Sequence, residues 1–117
     1  MTAPEPGDIH WADFGETLGT EQAGRRPALV VSEHAFNKRS PRIVVCPITS
    51  RMTEWPVVVP VPSSMRTQGV ILCDQVRTID RRARLFTFIE RLPEDSLVAV
   101  RHTLSAILGL GTRLNGT

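Results

Sequence analysis

Glu21-Gln22-Ala23-Gly24-Arg25-Arg26-Pro27-Ala28-Leu29-Val30-Val31 sets charge and flexible backbone directly before a segment that must be buried. Ala28 to Val31 is a short apolar run with two β-branched residues, the pattern of a central strand. Pro27 removes one backbone donor where the ladder is only beginning, and it pushes Arg26 towards extended geometry. Two readings of the stretch follow. A guanidinium at the mouth of a rigid strand, beside a loop carrying Gly19 and Gly24 with Glu21 upstream, is placed to grip an anion. A solvated hairpin with an ordinary surface ion pair has the same composition.

Working outward, residues 7 to 14 alternate in character and predict a first strand, and the glycine-bearing segment Gly15 to Arg25 is a long loop of the kind that is often functional. Beyond Val31, Ser32 to Pro41 reads as a polar connection. Ile43 to Thr49 is apolar on both faces and predicts a second central strand, with Pro47 marking a bulge near its end. Prolines 56, 60 and 62 around Val57 to Val61 suit an edge strand. Ser63 to Gln68 is a turn, Gly69 to Asp74 a fifth strand, and Gln75 to Asp80 its continuation past a bend. Asp80 to Arg84 reads as a charged turn and Leu85 to Glu90 as the last strand. Leu92-Pro93-Glu94-Asp95 then starts a helix, with proline in the first turn and carboxylates where the helix dipole favours them. Leu97, Val100, Leu104, Ile107 and Leu108 give that helix one apolar face, and Gly109 and Gly111 end it. Strands followed by a helix make the chain mainly β (α+β), a curled antiparallel sheet closed by a C-terminal α-helix.

A length of 117 residues and 41% hydrophobic content fit one domain over 1–117 with a small core, residues 1–6 forming a disordered tail. The N-terminus lacks the basic and apolar pattern of a leader, and no run reaches membrane-spanning length, which predicts a soluble cytoplasmic protein with no membrane association. Cys46 and Cys73 lie in apolar runs without metal or redox spacing, so buried free thiols are expected. The net charge of +2 says little about partners. Lys38 is the only lysine, and arginine suits phosphate and base edges, although a GC-rich genome gives the same bias. With no Tyr and six aromatics, a base-stacking sheet of the RRM type is not expected.

Three separated segments carry a resemblance: Gly7-Asp8-Ile9 with Asp13-Phe14; Gly19 to Gln22 with Gly24 to Val31; and Cys73-Asp74-Gln75-Val76-Arg77-Thr78-Ile79-Asp80. In that order they resemble the MazF/PemK family of toxin endoribonucleases, with support from Pro47-Ile48-Thr49-Ser50 and Arg91-Leu92-Pro93, over nearly the whole span from Gly7 to Leu110. The resemblance implies an SH3-like antiparallel β-barrel of the CcdB/PemK kind with a C-terminal α-helix, a homodimer, and metal-independent cleavage of single-stranded RNA such as mRNA. It also implies a cognate antitoxin protein and no cofactor. The family's catalytic arginine falls on Arg26 and its threonine on Thr49, and Glu21 lies in the loop implicated in substrate handling. Arg25, Gln22, Asp74, Gln75, Arg77 and Arg81 are the candidate RNA-binding residues. Of these, Asp74 and Gln75 either read bases or cap a strand end, and Arg81 belongs to a basic turn that either widens the groove or is a solvated tip.

The side chains fit that chemistry. RNA is cut without a metal when its 2′-hydroxyl attacks the adjacent phosphorus. The arginine fork of Arg26 suits the charge that builds on the nonbridging oxygens, and Thr49 offers a hydroxyl to the same phosphate. Guanidinium is a poor base at pKa above ~12. Glu21 is the carboxylate that would take the proton if its loop closes, and an ion pair with Arg25 or Arg26 is its other role. His10, His34 and His102 are assigned no catalytic part, and no metal-ligand spacing exists. A gyrase-poisoning toxin of the CcdB kind is the competing class. It depends on a tryptophan close to the C-terminus, whereas this chain ends Gly111-Thr112-Arg113-Leu114-Asn115-Gly116-Thr117. A catalytically weak relative that binds only RNA or antitoxin is the third. The loops Gly15 to Gly24, Met52 to Trp55 and Ser63 to Gln68 are expected to shape recognition.

Overall fold

The structure is a computed structural model and describes residues 2–16, 18–51 and 55–111. Seven antiparallel strands form one sheet: β1 Asp8–Asp13, β2 Arg25–Val30, β3 Arg42–Thr49, β4 Val58–Pro60, β5 Val70–Leu72, β6 Arg77–Asp80 and β7 Leu85–Arg91. Their order is β4-β5-β3-β2-β1-β7, with β6 also paired to β3. The chain has the curled, barrel-like form that the sequence predicts, but the pairing does not close, and β4 and β7 stand at the two ends of the path. The edge position of β4 follows from its prolines, which cannot donate to a ladder.

The centre of the sheet is β3. Its residues Val45, Cys46 and Pro47 pair with β2 on one side. On the other side β6 pairs with Arg42 to Val45 and β5 with Ile48 and Thr49. Between β5 and β6 the bend expected after Asp74 is a 3₁₀ turn, Cys73–Gln75. Alternation then splits the core into two layers. Ile9, Leu29, Cys46, Ile48 and Ile71 pack with Leu97 and Val100 of the C-terminal helix, while Ala12, Phe14, Ala28, Val30, Ile43, Val45 and Ile79 form the opposite layer. Strands β2 and β3 are buried on both faces, which is why they read as unbroken apolar runs.

Three segments differ from the sequence reading. Within Ser32 to Pro41, His34–Arg39 is a helix, α1. It forms around Asn37, which is fully buried and donates to Pro4 O at 3.0 Å and Ser32 O at 2.9 Å while accepting from Ser32 Oγ. The same contacts hold Pro4, and His34 Nδ1 lies 2.9 Å from Glu5 Oε2, within the span that the sequence reads as a tail. Arg81–Arg84 is a helical turn, α2, capped by Asp80 Oδ1, which accepts from Ala83 N at 2.8 Å.

The C-terminal helix α3, Glu94–Leu108, ends on Gly109 in the left-handed conformation, φ +68°. Leu97 and Val100 are buried and Leu104 packs beside them, but Ile107 and Leu108 are exposed.

Candidate active site

Strand register builds the site. β2 and β3 are paired as Ala28↔Pro47, Leu29↔Cys46 and Val30↔Val45. Continued two residues towards the open end, that register brings Arg26 and Thr49 to the same end of the β2–β3 pair, where they line adjacent cavities. Arg26 Nε donates to Ala23 O at 3.1 Å, which fixes the guanidinium plane and leaves both terminal nitrogens as donors. Thr49 is 7% exposed. Its Oγ1 accepts from Arg51 N at 3.2 Å, so its hydroxyl proton is left to donate.

Arg26 lines an open cleft of about 580 Å³ with Arg25, Arg66, Trp11, Ser50 and Gln68. None of its described lining residues is acidic. Three guanidiniums on one cleft raise the local concentration of an anion. Arg25 is steadied by Phe86, whose ring centroid lies 4.5 Å from the guanidinium carbon. Arg66 arrives from the 62–68 loop, which Glu90 of β7 clamps: its carboxylate accepts from Arg66 N at 3.2 Å and Thr67 N at 2.6 Å. Burial opposes that charge, but the hydrogen bonds from Thr67 and Arg66 outweigh it and hold the Glu90 carboxyl below the usual glutamate range.

Thr49 opens on a second hollow of about 280 Å³, shared with Thr20, Gln22, Trp55, Asp74 and Gln75. A third, of about 240 Å³, lies beyond it between Glu21, Gln22, Asp74, Gln75 and Arg77. Gln22 N donates to Gln75 Oε1 at 2.7 Å, tying the long β1–β2 loop to the 3₁₀ turn.

The sequence candidates therefore divide. Arg25 and Arg26 share the arginine cleft, and Gln22, Thr49, Asp74 and Gln75 share the second hollow. Glu21 stands in the third, away from the residues that line the cleft with Arg26. Arg77 reaches that hollow but also donates to Phe14 O at 3.3 Å across the Phe14 ring. Arg81 is not brought to the site: its guanidinium donates to Asn37 O at 2.6 Å, and it lines a separate hollow with Pro41, Asp80 and Arg82. Trp11, Ser50, Arg66 and Gln68, and on the other side Thr20 and Arg51, were not singled out by sequence. Ser63 to Gln68 and Met52 to Trp55 were expected to shape recognition, and the cation or aromatic within each is the signal that names Arg66 and Trp55. Met52, Thr53 and Glu54 lie outside the described residues, as does the tail from Thr112.

His10 Nδ1 lies 2.9 Å from Phe86 O, and no histidine is among the residues lining these hollows. Among the described residues no group of three or more His, Cys, Asp or Glu is placed to hold a metal ion. Cys46 and Cys73 are buried free thiols. The hydrogen bond with Cys73 and burial raise the Cys46 thiol well above its ordinary pKa.

Residues 5–108 match the family of PemK-like, MazF-like toxins of type II toxin-antitoxin systems. The chain belongs to that family. The endoribonuclease toxin MazF of Escherichia coli K12 is 35% identical over 106 residues, 91% of this chain and 95% of its own. The crystal structure of MazF (Form-I) from Deinococcus radiodurans superposes with a TM-score of 0.85 at 36% identity, over 94% of this chain and all of that one. MazE-MazF (Form-III) from the same organism gives 0.80 at 34% identity, covering 93% of this chain and 99% of that one. MazF-like membership thus extends over the whole sheet and α3, and the two central strands that carry Arg26 and Thr49 lie inside the matched span.

Proposed function

We propose that this MazF/PemK-family chain is the toxin of a toxin-antitoxin system, a metal-independent endoribonuclease that cuts single-stranded RNA at the Arg26–Thr49 strand end. The endoribonuclease class rests on family membership and on relatives that span nearly the full chain. The observation that supports the residue assignment is the β2–β3 register, which brings a guanidinium with two free terminal nitrogens and a threonine with a free hydroxyl proton to one end of the strand pair.

In this reading the 2′-hydroxyl attacks the adjacent phosphorus, the 5′-oxygen leaves, and the products are a 2′,3′-cyclic phosphate and a 5′-hydroxyl end. Arg26 binds the nonbridging oxygens through its terminal nitrogens, and Thr49 donates to the same phosphate. Both groups are preorganised where charge builds, so they act without reorganisation in the transition state. Arg25 and Arg66 hold neighbouring phosphates along the open cleft, as arginine forks do. Glu21 receives the 2′-hydroxyl proton when the β1–β2 loop swings from the third hollow towards the cleft. Gly15, Gly19 and Gly24, all at positive φ, give that loop its turning points.

The active species is a cytoplasmic homodimer, neutralised by an antitoxin protein as MazF is paired with MazE in the Deinococcus complex. No helix among the described residues is long and apolar enough to cross a membrane. The gyrase-poison reading is not favoured, since the curated relatives are endoribonucleases. The deciding experiment incubates the pure protein with single-stranded RNA in EDTA, beside Arg26→Ala, Thr49→Ala and a substrate with a 2′-deoxy residue at the cut. Cleavage that needs a metal, survives Arg26→Ala or accepts the 2′-deoxy substrate overturns the mechanism. Light scattering at micromolar concentration tests the dimer, a monomer being the adverse result.

A further inference from the structure

We infer, resting on the nuclease reading above, that Glu90 is a positioning residue: its carboxylate latches the 62–68 loop across the open seam of the sheet and so holds Arg66 on the arginine cleft, where Arg66 contacts a phosphate. The pairing path of the sheet leaves β4 and β7 as its two ends. The 62–68 loop follows β4 and Glu90 belongs to β7. The cleft draws on both sides, with Arg66, Thr67 and Gln68 from the loop and Ile89 from the strand. Whatever spans the seam therefore sets where Arg66 stands relative to Arg25 and Arg26.

Glu90 spans it with both carboxylate oxygens. Oε1 accepts from Arg66 N at 3.2 Å and Oε2 from Thr67 N at 2.6 Å. Two consecutive amides directed at one anion fix the backbone from which the Arg66 side chain departs. The loop's other hydrogen bonds among the described residues are local: Val61 N donates to Gly69 O at 2.9 Å, Met65 N to Pro62 O at 3.1 Å and Gln68 Nε2 to Met65 O at 2.6 Å. They shape the loop without tying it to β7. A slip in register sits beside Glu90. Ile9 pairs with Glu90 and His10 with Phe88, which leaves Ile89 as an extra residue, and a bulge of this kind re-aims the side chains around it. Arg91, the next residue along β7, is engaged by Asp8 Oδ1 at 2.9 Å, and Glu90 is not among the residues that line the cleft. Its charge faces the loop amides rather than a bound phosphate.

Electrostatics alone predicts the opposite sign. Removing a carboxylate near an arginine-lined cleft tightens RNA binding if Glu90 acts only through its charge. If it acts through Arg66, the loss of Glu90 weakens binding. Glu90→Gln separates the two, because the glutamine amide has one acceptor oxygen and its NH2 would face the second backbone N–H, donor to donor.

The test measures affinity for a short single-stranded RNA made uncleavable by a 2′-deoxy residue at the cut, in EDTA across a salt series. Glu90→Gln should bind about fivefold more weakly, the scale of one exposed charge contact, and flatten the slope of log K against log salt by about 0.7, the share of one phosphate. Arg66→Ala should do the same, and in that background Glu90→Gln should weaken binding no further. On the matching all-ribose RNA, Glu90→Gln should raise KM about fivefold and keep kcat within about twofold of the parent, since Arg26 and Thr49 stay in place. Tighter or unchanged binding in Glu90→Gln, an equal loss when Arg66 is already replaced, or a fall in kcat at unchanged KM overturns the role. Arg66 is exposed, so Arg66→Ala keeps the test open if Glu90→Gln does not fold: binding equal to the parent would leave Glu90 no contact to position. Cleavage by the parent, with binding indifferent to Glu90→Gln, sinks the positioning role alone; the expected binding changes in a parent that does not cut sink the nuclease reading alone.

Discussion

Replacing Gly69 with alanine should separate the two strands that frame Thr49. Gly69 has φ +119°, and a Cβ built there would lie 1.9 Å from Thr49 O, 2.7 Å from Thr49 C and 2.9 Å from Ser50 Cα. All three are backbone atoms, so no side-chain rotation relieves the overlap. The backbone must part at Thr49↔Val70, the rung that ends the β3–β5 ladder. Strain from the positive φ costs about 1–3 kcal/mol. Displacing β5 loosens Val70, Ile71 and Leu72, all buried, and uncovering one such side chain costs about 1.5–3 kcal/mol. The expected loss is about 3–5 kcal/mol, against a total of roughly 6–17 kcal/mol for a chain of this length. Calorimetry should show Tm lowered by about 10–20 °C. Cleavage measured well below that Tm should also fall, because Thr49 moves with its carbonyl. Gly19→Ala is the control: nothing lies within 4 Å of its Cβ, so it should lose only the left-handed strain of about 1–2 kcal/mol. A Gly69→Ala protein that melts within about 2 °C of the parent and cuts at the same rate would refute the close crossing of β5 over Thr49.

Arg26→Ala should lower single-turnover cleavage by about 10²–10³, the scale of losing one preorganised donor, and Arg26→Lys should recover little because the fork is lost with the charge kept. Thr49→Val, close in shape, should cost roughly tenfold or more in the same assay with Tm nearly unchanged, whereas a rate equal to the parent would remove the hydroxyl from the chemistry. Asn37→Leu should cost about 2–4 kcal/mol in urea unfolding, since Pro4 O and Ser32 O lose the amide that donates to them inside the protein. Glu90 has a depressed folded pKa, so its contribution is present above its unfolded value of roughly 4.3 and is lost as pH falls through the folded value. Glu90→Gln should therefore flatten the acid limb of the urea midpoint below the ordinary glutamate range; an unchanged limb would mean that the clamp on the 62–68 loop carries no charge-dependent stability.

What was legible in the sequence is what local chemistry decides. Pro27 before an apolar run, prolines around Val58 and Val59, and carboxylates in the first turn of α3 each fix an element without help from elsewhere in the chain. Helix α1 was not legible, because its organising residue is polar and reads as loop. Asn37 is buried only through partners 5 and 33 residues away. Periodicity also extended the packed face of α3 to Leu108, since it records the helix but not which of its turns find a partner. At the site, the family resemblance pointed to Arg26 and Thr49, but their place at one end of the β2–β3 pair is a property of register. Arg81 shows the reverse case: a cation in a basic turn looked available, and the fold spends it on the Asn37 carbonyl.

The same register separates the arginine cleft from the hollow beside Thr49. β3 lies between β2, which brings the arginine, and the β5–3₁₀ segment, which brings Asp74 and Gln75. Two strand spacings set these flanks about 10 Å apart. Substitutions on β2 alter the phosphate cleft without touching the hollow, and those in the 3₁₀ turn do the opposite, because the two cavities share no lining residue. Changes in β3 reach both. Thr49 opens on one cavity and Ser50 on the other, so a shift of this strand by one residue would exchange the two faces. Gly69, pressed against the Thr49 carbonyl, is one contact that holds the strand in place. The end of β3 is therefore the one segment on which the shape of both cavities depends.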